Sequence, residues 1–207
     1  MHLNSAMIRT RSDLREYIYE DSKNFYRRMP NMLTRIKSRI FSTPINDQSK
    51  IWAYIRTLRL CEYYHNHSNR IVRVLGNLLY CHKLRTLSRI TGFQIPPNTL
   101  GKGLTIWHWG TIIISDDSRI GDYCTLEPGV VVGSKIDYGR APVIGNHVTI
   151  NGGSRIIGDI TIGDDVIIGA NTVVLKNTPP IALLSVIRHA LLRCVKTIIV
   201  NGKTFRV

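Results

Sequence analysis

A chain of 207 residues with 43% hydrophobic content and a formal net charge of +14 is long enough for one well-packed domain, with or without a helical appendage, and too apolar to stay disordered. The four cysteines (Cys61, Cys81, Cys124, Cys194) stand apart with no CxxC pair and no histidines at metal-ligand spacing, so neither a disulfide framework nor a metal site is expected and a cytoplasmic location fits. The N-terminus opens on polar and charged residues, and even the apolar stretch from Ile181 to Val200 is broken by Arg188, His189, Arg193 and Lys196, so neither secretion nor a membrane span is expected.

From about Thr10 to Gly92 apolar residues recur at spacings of three and four and glycine is nearly absent, which predicts helices. Thr10 or Ser12 is placed to cap the first, with Leu14, Tyr17 and Ile18 on one side. Two more follow over Ile51 to Tyr64 (Ile51, Tyr54, Ile55, Leu58, Leu60, Cys61) and Ile71 to Ile90 (Val74, Leu75, Leu78, Leu79, Leu84, Leu87), and Pro30 and Pro44 mark breaks ahead of them. The positive charge is concentrated here: residues 1–98 hold 17 Lys and Arg against 6 Asp and Glu, whereas residues 99–207 hold 11 against 8. Such a face attracts anions, so peripheral contact with an anionic membrane or a phosphorylated substrate is open, although lysines and arginines also simply solvate helix surfaces. No nucleic-acid partner is expected.

After Pro96 and Pro97 the texture changes. Aliphatic residues recur every six positions, at Ile120, Leu126, Val132, Ile144, Ile150, Ile156, Ile162, Ile168 and Val174, and Gly121, Gly133, Gly145, Gly163 and Gly169 follow five of them. An earlier run, Leu100, Ile106 and Ile112, keeps the period but is offset by two. A six-residue period belongs to neither helix nor ordinary strand; it predicts a solenoid whose aliphatic residues stack inward from coil to coil. Small residues at Cys124, Val130, Val148, Ser154, Val166 and Thr172 suit the remaining inner space, and the glycines are read as relieving strain at tight corners. Ser134 to Pro142 interrupts the pattern without losing phase, as an extruded loop would, and long loops on a regular scaffold tend to be functional. Three regions are therefore expected: an α-helical N-terminal domain over 1–95, a mainly β solenoid over 96–180, and a divergent tail over 181–207.

The solenoid and its helical lead resemble the serine acetyltransferase family and its relatives that acetylate sugars of surface polysaccharides. The residues that carry the resemblance are the segment from Gly101 to His108, similar to the glycine-rich lead into a catalytic histidine, the run Ala141-Pro142-Val143-Ile144-Gly145, and the coils from Ile162 to Val174. The resemblance implies a left-handed parallel β-helix, a homotrimer, acetyl-CoA as co-substrate, and an acyltransferase that moves acetyl onto a hydroxyl. Departures are specific as well. Trp107 stands where the family has an aspartate that binds the amino acid, Ala141 where it has a second histidine, and Gln94 near the aspartate that orients the catalytic histidine, while Arg140 matches. The acceptor therefore stays open between L-serine, for cysteine synthesis, and a sugar hydroxyl of a polysaccharide precursor. A catalytically silent scaffold is the alternative, because a fold does not establish a function.

Attack by a hydroxyl needs a base near neutrality, a role that suits histidine and is assigned to His108. Trp107 and Trp109 offer flat surfaces to an acceptor, and Arg140 offers a cation to an anionic one. Gly152, Gly153, Gly169 and Ala170 would let an extended CoA arm approach the coil edge, and Lys176 would meet a phosphate. His147 is read as an ordinary polar corner residue, and two histidines do not make the three-histidine metal site of a gamma-class carbonic anhydrase. The family's closing Gly-Asn-Pro-Ala-Arg is missing after Pro179-Pro180. The residues from Ser185 to Ala190 can be encoded by codons that give that pentapeptide in another frame, so the tail is read as a shifted translation with Leu191, Leu192, Ile198 and Ile199 left exposed. The codons of the gene decide that point.

Overall fold

The computed structural model describes residues 7–28, 48–135, 140–184, 197–200 and 203–206. Helix α1 (Arg11–Arg28) opens on a reciprocal cap: Asp13 N–H donates to Thr10 Oγ1, and Asp13 Oδ2 accepts from Thr10 N–H at 2.8 Å and Arg9 N–H at 3.0 Å. Those two backbone donors hold the Asp13 carboxyl below its ordinary pKa. Helix α2 (Gln48–His65) buries Ile51, Tyr54, Ile55, Leu58 and Cys61, one side of its 3.6-residue repeat. Helix α3 (Arg70–Thr91) is capped by the Asn69 side chain and stopped by Gly92 at φ 80°, a left-handed conformation that glycine adopts without strain.

At Phe93 the chain enters a three-sided coil of very short parallel strands. Sheet A contains β1 (Phe93–Gln94), β3 (Ile112–Ile114), β6 (Val131–Gly133), β9 (Arg155–Ile157) and β12 (Val173–Val174). Sheet B contains β4 (Arg119–Ile120), β7 (Val143–Ile144) and β10 (Thr161–Ile162). Sheet C contains β2 (Thr105–Ile106), β5 (Thr125–Leu126), β8 (Thr149–Ile150), β11 (Ile167–Ile168) and β13 (Leu183–Leu184). The architecture is a left-handed β-helix preceded by helices. Its core is a set of buried aliphatic columns, Ile106-Leu126-Ile150-Ile168, Ile120-Ile144-Ile162 and Ile114-Val132-Ile156-Val174, with the expected small residues buried between them.

The register explains both irregularities of the sequence. A regular turn takes 18 residues, as from Ile114 to Val132. Val132 pairs with Ile156, 24 positions on, so the loop before Val143 inserts one whole hexapeptide and the phase survives. Ile106 pairs with Leu126, 20 positions on, and the two additional residues fall between Ile106 and Ile114. It is accordingly Ile114, and not Ile112, that stacks under Val132; Ile112 packs beside Phe93.

The reading of the glycines as strained corners needs correction. Gly121, Gly145 and Gly163 do not have positive φ; the left-handed residues at that corner are Tyr123 (φ 58°), His147 (φ 55°) and Asp165 (φ 57°), two positions later. The glycines are required because successive coils touch there. A Cβ on Gly121 would lie 2.6 Å from Gly145 O, and one on Gly145 would lie 2.8 Å from Gly163 C. The neighbouring Asp122, Asn146 and Asp164 form a ladder, each accepting from the backbone N–H of the coil below: Lys102, Asp122 and Asn146 respectively.

Past Pro180 the coil continues through β13, which pairs with β11. Strands β14 (Thr197–Val200) and β15 (Lys203–Arg206) pair antiparallel. Residues 185–196, with Leu191 and Leu192, and the side chains of Ile198 and Ile199 lie outside the described residues.

The helices are locked to the coil by a buried ion cluster. Arg59, fully buried, donates to Asp21 Oδ2 at 2.8 Å, to Glu62 Oε2 at 3.0 Å and to the carbonyls of Leu100 and Gly101. Asp21 also accepts from Leu104 N–H at 2.9 Å. Glu62 also accepts from Asn98 N–H at 2.9 Å, yet burial pushes the Glu62 carboxyl above its ordinary pKa.

Candidate active site

The two residues inserted after Ile106 enlarge a corner, 107–111, that joins sheet C to sheet A and carries Trp107, His108 and Trp109. The helices hold it from two directions. Gln48, at the start of α2, donates from Nε2 to Trp107 O at 2.6 Å, and Gly110 N–H donates to Thr91 O, at the end of α3, at 2.9 Å. Below the corner, Asn24 donates from Nδ2 to Thr105 Oγ1 at 2.6 Å and to Gly103 O at 3.2 Å. The glycine-rich lead into His108 is thus anchored by Arg59, Asp21 and Asn24 at three successive points.

His108 is exposed, and among the described residues no hydrogen bond or ion pair holds its imidazole. The tryptophans beside it diverge. Trp107 is half-buried and lines a small cavity against the helices with Asp21, Asn24, Gln48 and Ile55, whereas Trp109 remains 41% exposed at the surface. Gln94 lies on β1, paired with Ile113, and does not face His108 across any described contact.

The same corner recurs in later coils at 127–130, 151–154 and 169–172, stacked through Gly129 N–H to Thr111 O, Gly153 N–H to Pro128 O and Asn171 N–H to Gly152 O. Gly152, Gly153, Gly169 and Ala170 therefore share one edge of the solenoid with His108, two and three coils along it, or roughly 10 and 14 Å at ~4.8 Å per strand spacing. All four are at least partly accessible, and no large side chain stands on that edge at those positions.

Arg140 and Lys176 are placed elsewhere. Both are exposed at the corner joining sheets A and B, Arg140 just before β7 and Lys176 between β12 and the bridge from Thr178 to Ile162. Within one chain they are a full side away from His108, about six residues at ~3.3 Å each. His147 occupies the third corner, where its ring stacks on Tyr123 at 5.3 Å and Nδ1 lies 3.8 Å from Asp165 Oδ1. Among the described residues no group of three or more His, Cys, Asp or Glu could hold a metal ion.

Gln48 and Thr91 escaped the sequence reading. Neither lies in a motif, and each acts through a backbone group of the corner that only the packed helices bring within reach.

A bacterial transferase hexapeptide model, described as six repeats, matches residues 141–176. The serine acetyltransferase of Helicobacter pylori is 42% identical over 117 residues, which cover 53% of this chain and 68% of that protein. That of Synechococcus elongatus is 39% identical over 100 residues, or 46% of this chain and 41% of its own. Among solved structures, soybean serine acetyltransferase superposes with a TM-score of 0.63 at 22% identity, covering 84% of this chain and 68% of that one. The Neisseria gonorrhoeae serine acetyltransferase gives 0.61 at 23% identity, covering 86% and 67%. At such identities the structures establish the fold.

Proposed function

The chain belongs to the serine acetyltransferase family and is an acyltransferase, and from that premise we propose that it moves an acetyl group from acetyl-CoA to a hydroxyl at the His108 corner. The observation that carries this reading is an exposed histidine, on a corner pinned from both sides by helices, on the same solenoid edge as the partly accessible Gly152, Gly153, Gly169 and Ala170. His108 takes the proton of the acceptor hydroxyl as its oxygen attacks the thioester carbon. The C–S bond then breaks and the proton passes to the departing CoA thiolate, so the products are an acetyl ester and free thiol. The track of Gly152, Gly153, Gly169 and Ala170 would seat the co-substrate through backbone groups.

Arg140 and Lys176 reach such a site only from a neighbouring chain, which favours a homotrimer with the site between subunits. L-Serine, the acceptor in the names of the relatives, is the first reading of the acceptor. A sugar hydroxyl is the second, favoured by the exposed Trp109 ring beside His108 and by Trp107 in place of an acidic residue. Action in the cytoplasm, where acetyl-CoA is available, completes the reading.

Thiol release from acetyl-CoA, followed with Ellman's reagent across serine, homoserine and a panel of saccharides, tests it. Turnover with serine supports the first acceptor, and turnover confined to saccharides supports the second. No thiol release above hydrolysis with any acceptor overturns the enzyme reading in favour of a silent scaffold.

A further inference from the structure

Helix α3 has two apolar faces on opposite sides. The inner face packs into the protein through Gly76, Tyr80, Leu84 and Leu87: a Cβ on Gly76 would strike the Tyr64 ring, Tyr80 stacks on Tyr64 at 4.9 Å, and Leu84 and Leu87 join the main core. The outer face carries Ile71, Val74, Leu75, Leu78 and Leu79, at spacings of three and four, between 56% and 73% exposed. Nothing described in the chain covers this stripe, and five large aliphatics in a row exceed the scattered exposure of an ordinary surface.

The charge on the same helix says what covers it. The 22 residues of α3 include Arg70, Arg73, Lys83, Arg85 and Arg89 and no Asp or Glu. Continuing the apolar stripe by further turns of the helix brings His82, Arg85 and Arg89 onto its line, all exposed, with Lys83 beside Leu79. A second copy of this face offers aliphatics to aliphatics but no carboxylate to the cations, so self-pairing leaves them uncompensated. A surface that is apolar inside and anionic at its rim satisfies both halves together.

We propose that the outer face of α3 docks the protein on an anionic lipid bilayer, with Ile71, Val74, Leu75, Leu78 and Leu79 entering the boundary between headgroups and acyl chains and His82, Lys83, Arg85 and Arg89 held at the headgroups. The contact lies in the plane of the membrane: no described helix is long and apolar enough to cross one. It is independent of the proposed chemistry, and requires only that the helical face be presented outward.

The test is cosedimentation of the full chain with sucrose-loaded vesicles, either of phosphatidylcholine alone or of phosphatidylcholine mixed with phosphatidylglycerol. The expected result is binding to the anionic vesicles stronger by at least about tenfold, since each basic residue near such a surface contributes roughly a fivefold factor, with most of the difference lost in high salt. Leu75→Glu with Leu78→Glu, and separately Arg85→Glu with Arg89→Glu, should each reduce it by about tenfold or more. These side chains are exposed, so circular dichroism should match the parent, and thiol release by the unbound enzyme should be unchanged. Equal binding to both vesicle types, binding to neither, or unaltered binding of the acidic variants overturns the proposal. A fall in oligomer mass in Leu75→Glu with Leu78→Glu, without vesicle binding by the parent, assigns the face to a second copy and also overturns it.

Discussion

His108 and Trp109 sit side by side on one corner but are expected to fail differently when replaced. Removing a general base lowers the chemical step itself, so His108→Ala should cut the turnover number by about two to four orders of magnitude. Its fold should survive, because the side chain is exposed and holds nothing described. Trp109→Ala should instead raise the KM of the acceptor by about tenfold with little change in turnover, because an exposed ring contributes contact and not proton transfer. Steady-state kinetics with thiol detection separates the two, and equal effects on turnover would contradict the assignment. Arg59 is the opposite kind of residue. It touches no proposed reactant, but Arg59→Ala leaves Asp21 and Glu62 buried without their cation and should cost about 3–5 kcal/mol, lowering the thermal midpoint by roughly 10 °C. A shift of only a degree or two in a melting scan would show that water reaches the cluster. Sequence periodicity passes over such a residue, since an arginine next to buried Leu58 on a helix reads as an outward charge until Leu100 and Gly101 offer it their carbonyls.

Among the elements, the hexapeptide coils show why glycines that look alike in sequence have different tolerances. Gly145 and Gly133 each follow an inward aliphatic residue, Ile144 and Val132. A Cβ at Gly145 would meet Asp164 N and Gly163 C at 2.8 Å, whereas a Cβ at Gly133 would meet nothing within 4 Å. Gly145→Ala should therefore destabilise by about 1–3 kcal/mol, and Gly133→Ala should be neutral or stabilising by up to about 1 kcal/mol through the unfolded state. Chemical denaturation of the two variants checks the contrast, and equal midpoints would refute it. At Gly121, Gly145 and Gly163 the backbone contacts between coils select glycine, whereas Gly129 and Gly153 also have left-handed corner dihedrals, φ 83° and 75°. Left-handed corners are filled here by Asn98, Tyr123, His147, Asp165, Asn171 and Ile181, whose cost is offset by coil-to-coil hydrogen bonds such as His147 N–H to Asp122 O at 2.8 Å.

For the molecule as a whole, the placement of Arg140 and Lys176 on a different edge from His108 leads to a prediction about assembly. If neighbouring chains complete the site, light scattering coupled to gel filtration should give about three times the 23.5 kDa chain mass, and Arg140→Ala should depress activity without changing that mass. An active monomer would contradict it. The six-residue recurrence determined the three-sided coil, its inward columns and its hexapeptide-long insertion, because each inward position is set by local geometry repeated along the chain. His108 was singled out by the resemblance of its segment to known enzymes, and the two-residue slip there places it on an enlarged, exposed corner. Tertiary structure decided the rest. It separated Trp107 from Trp109, brought Gln48 and Thr91 to the corner, buried Arg59, and split the apolar residues of α3 into Leu84 and Leu87 facing the core and Val74, Leu75, Leu78 and Leu79 facing outward. A helical repeat states which residues share a face, but only the element packed against it determines which face turns inward; here that is Tyr64 lying on Gly76.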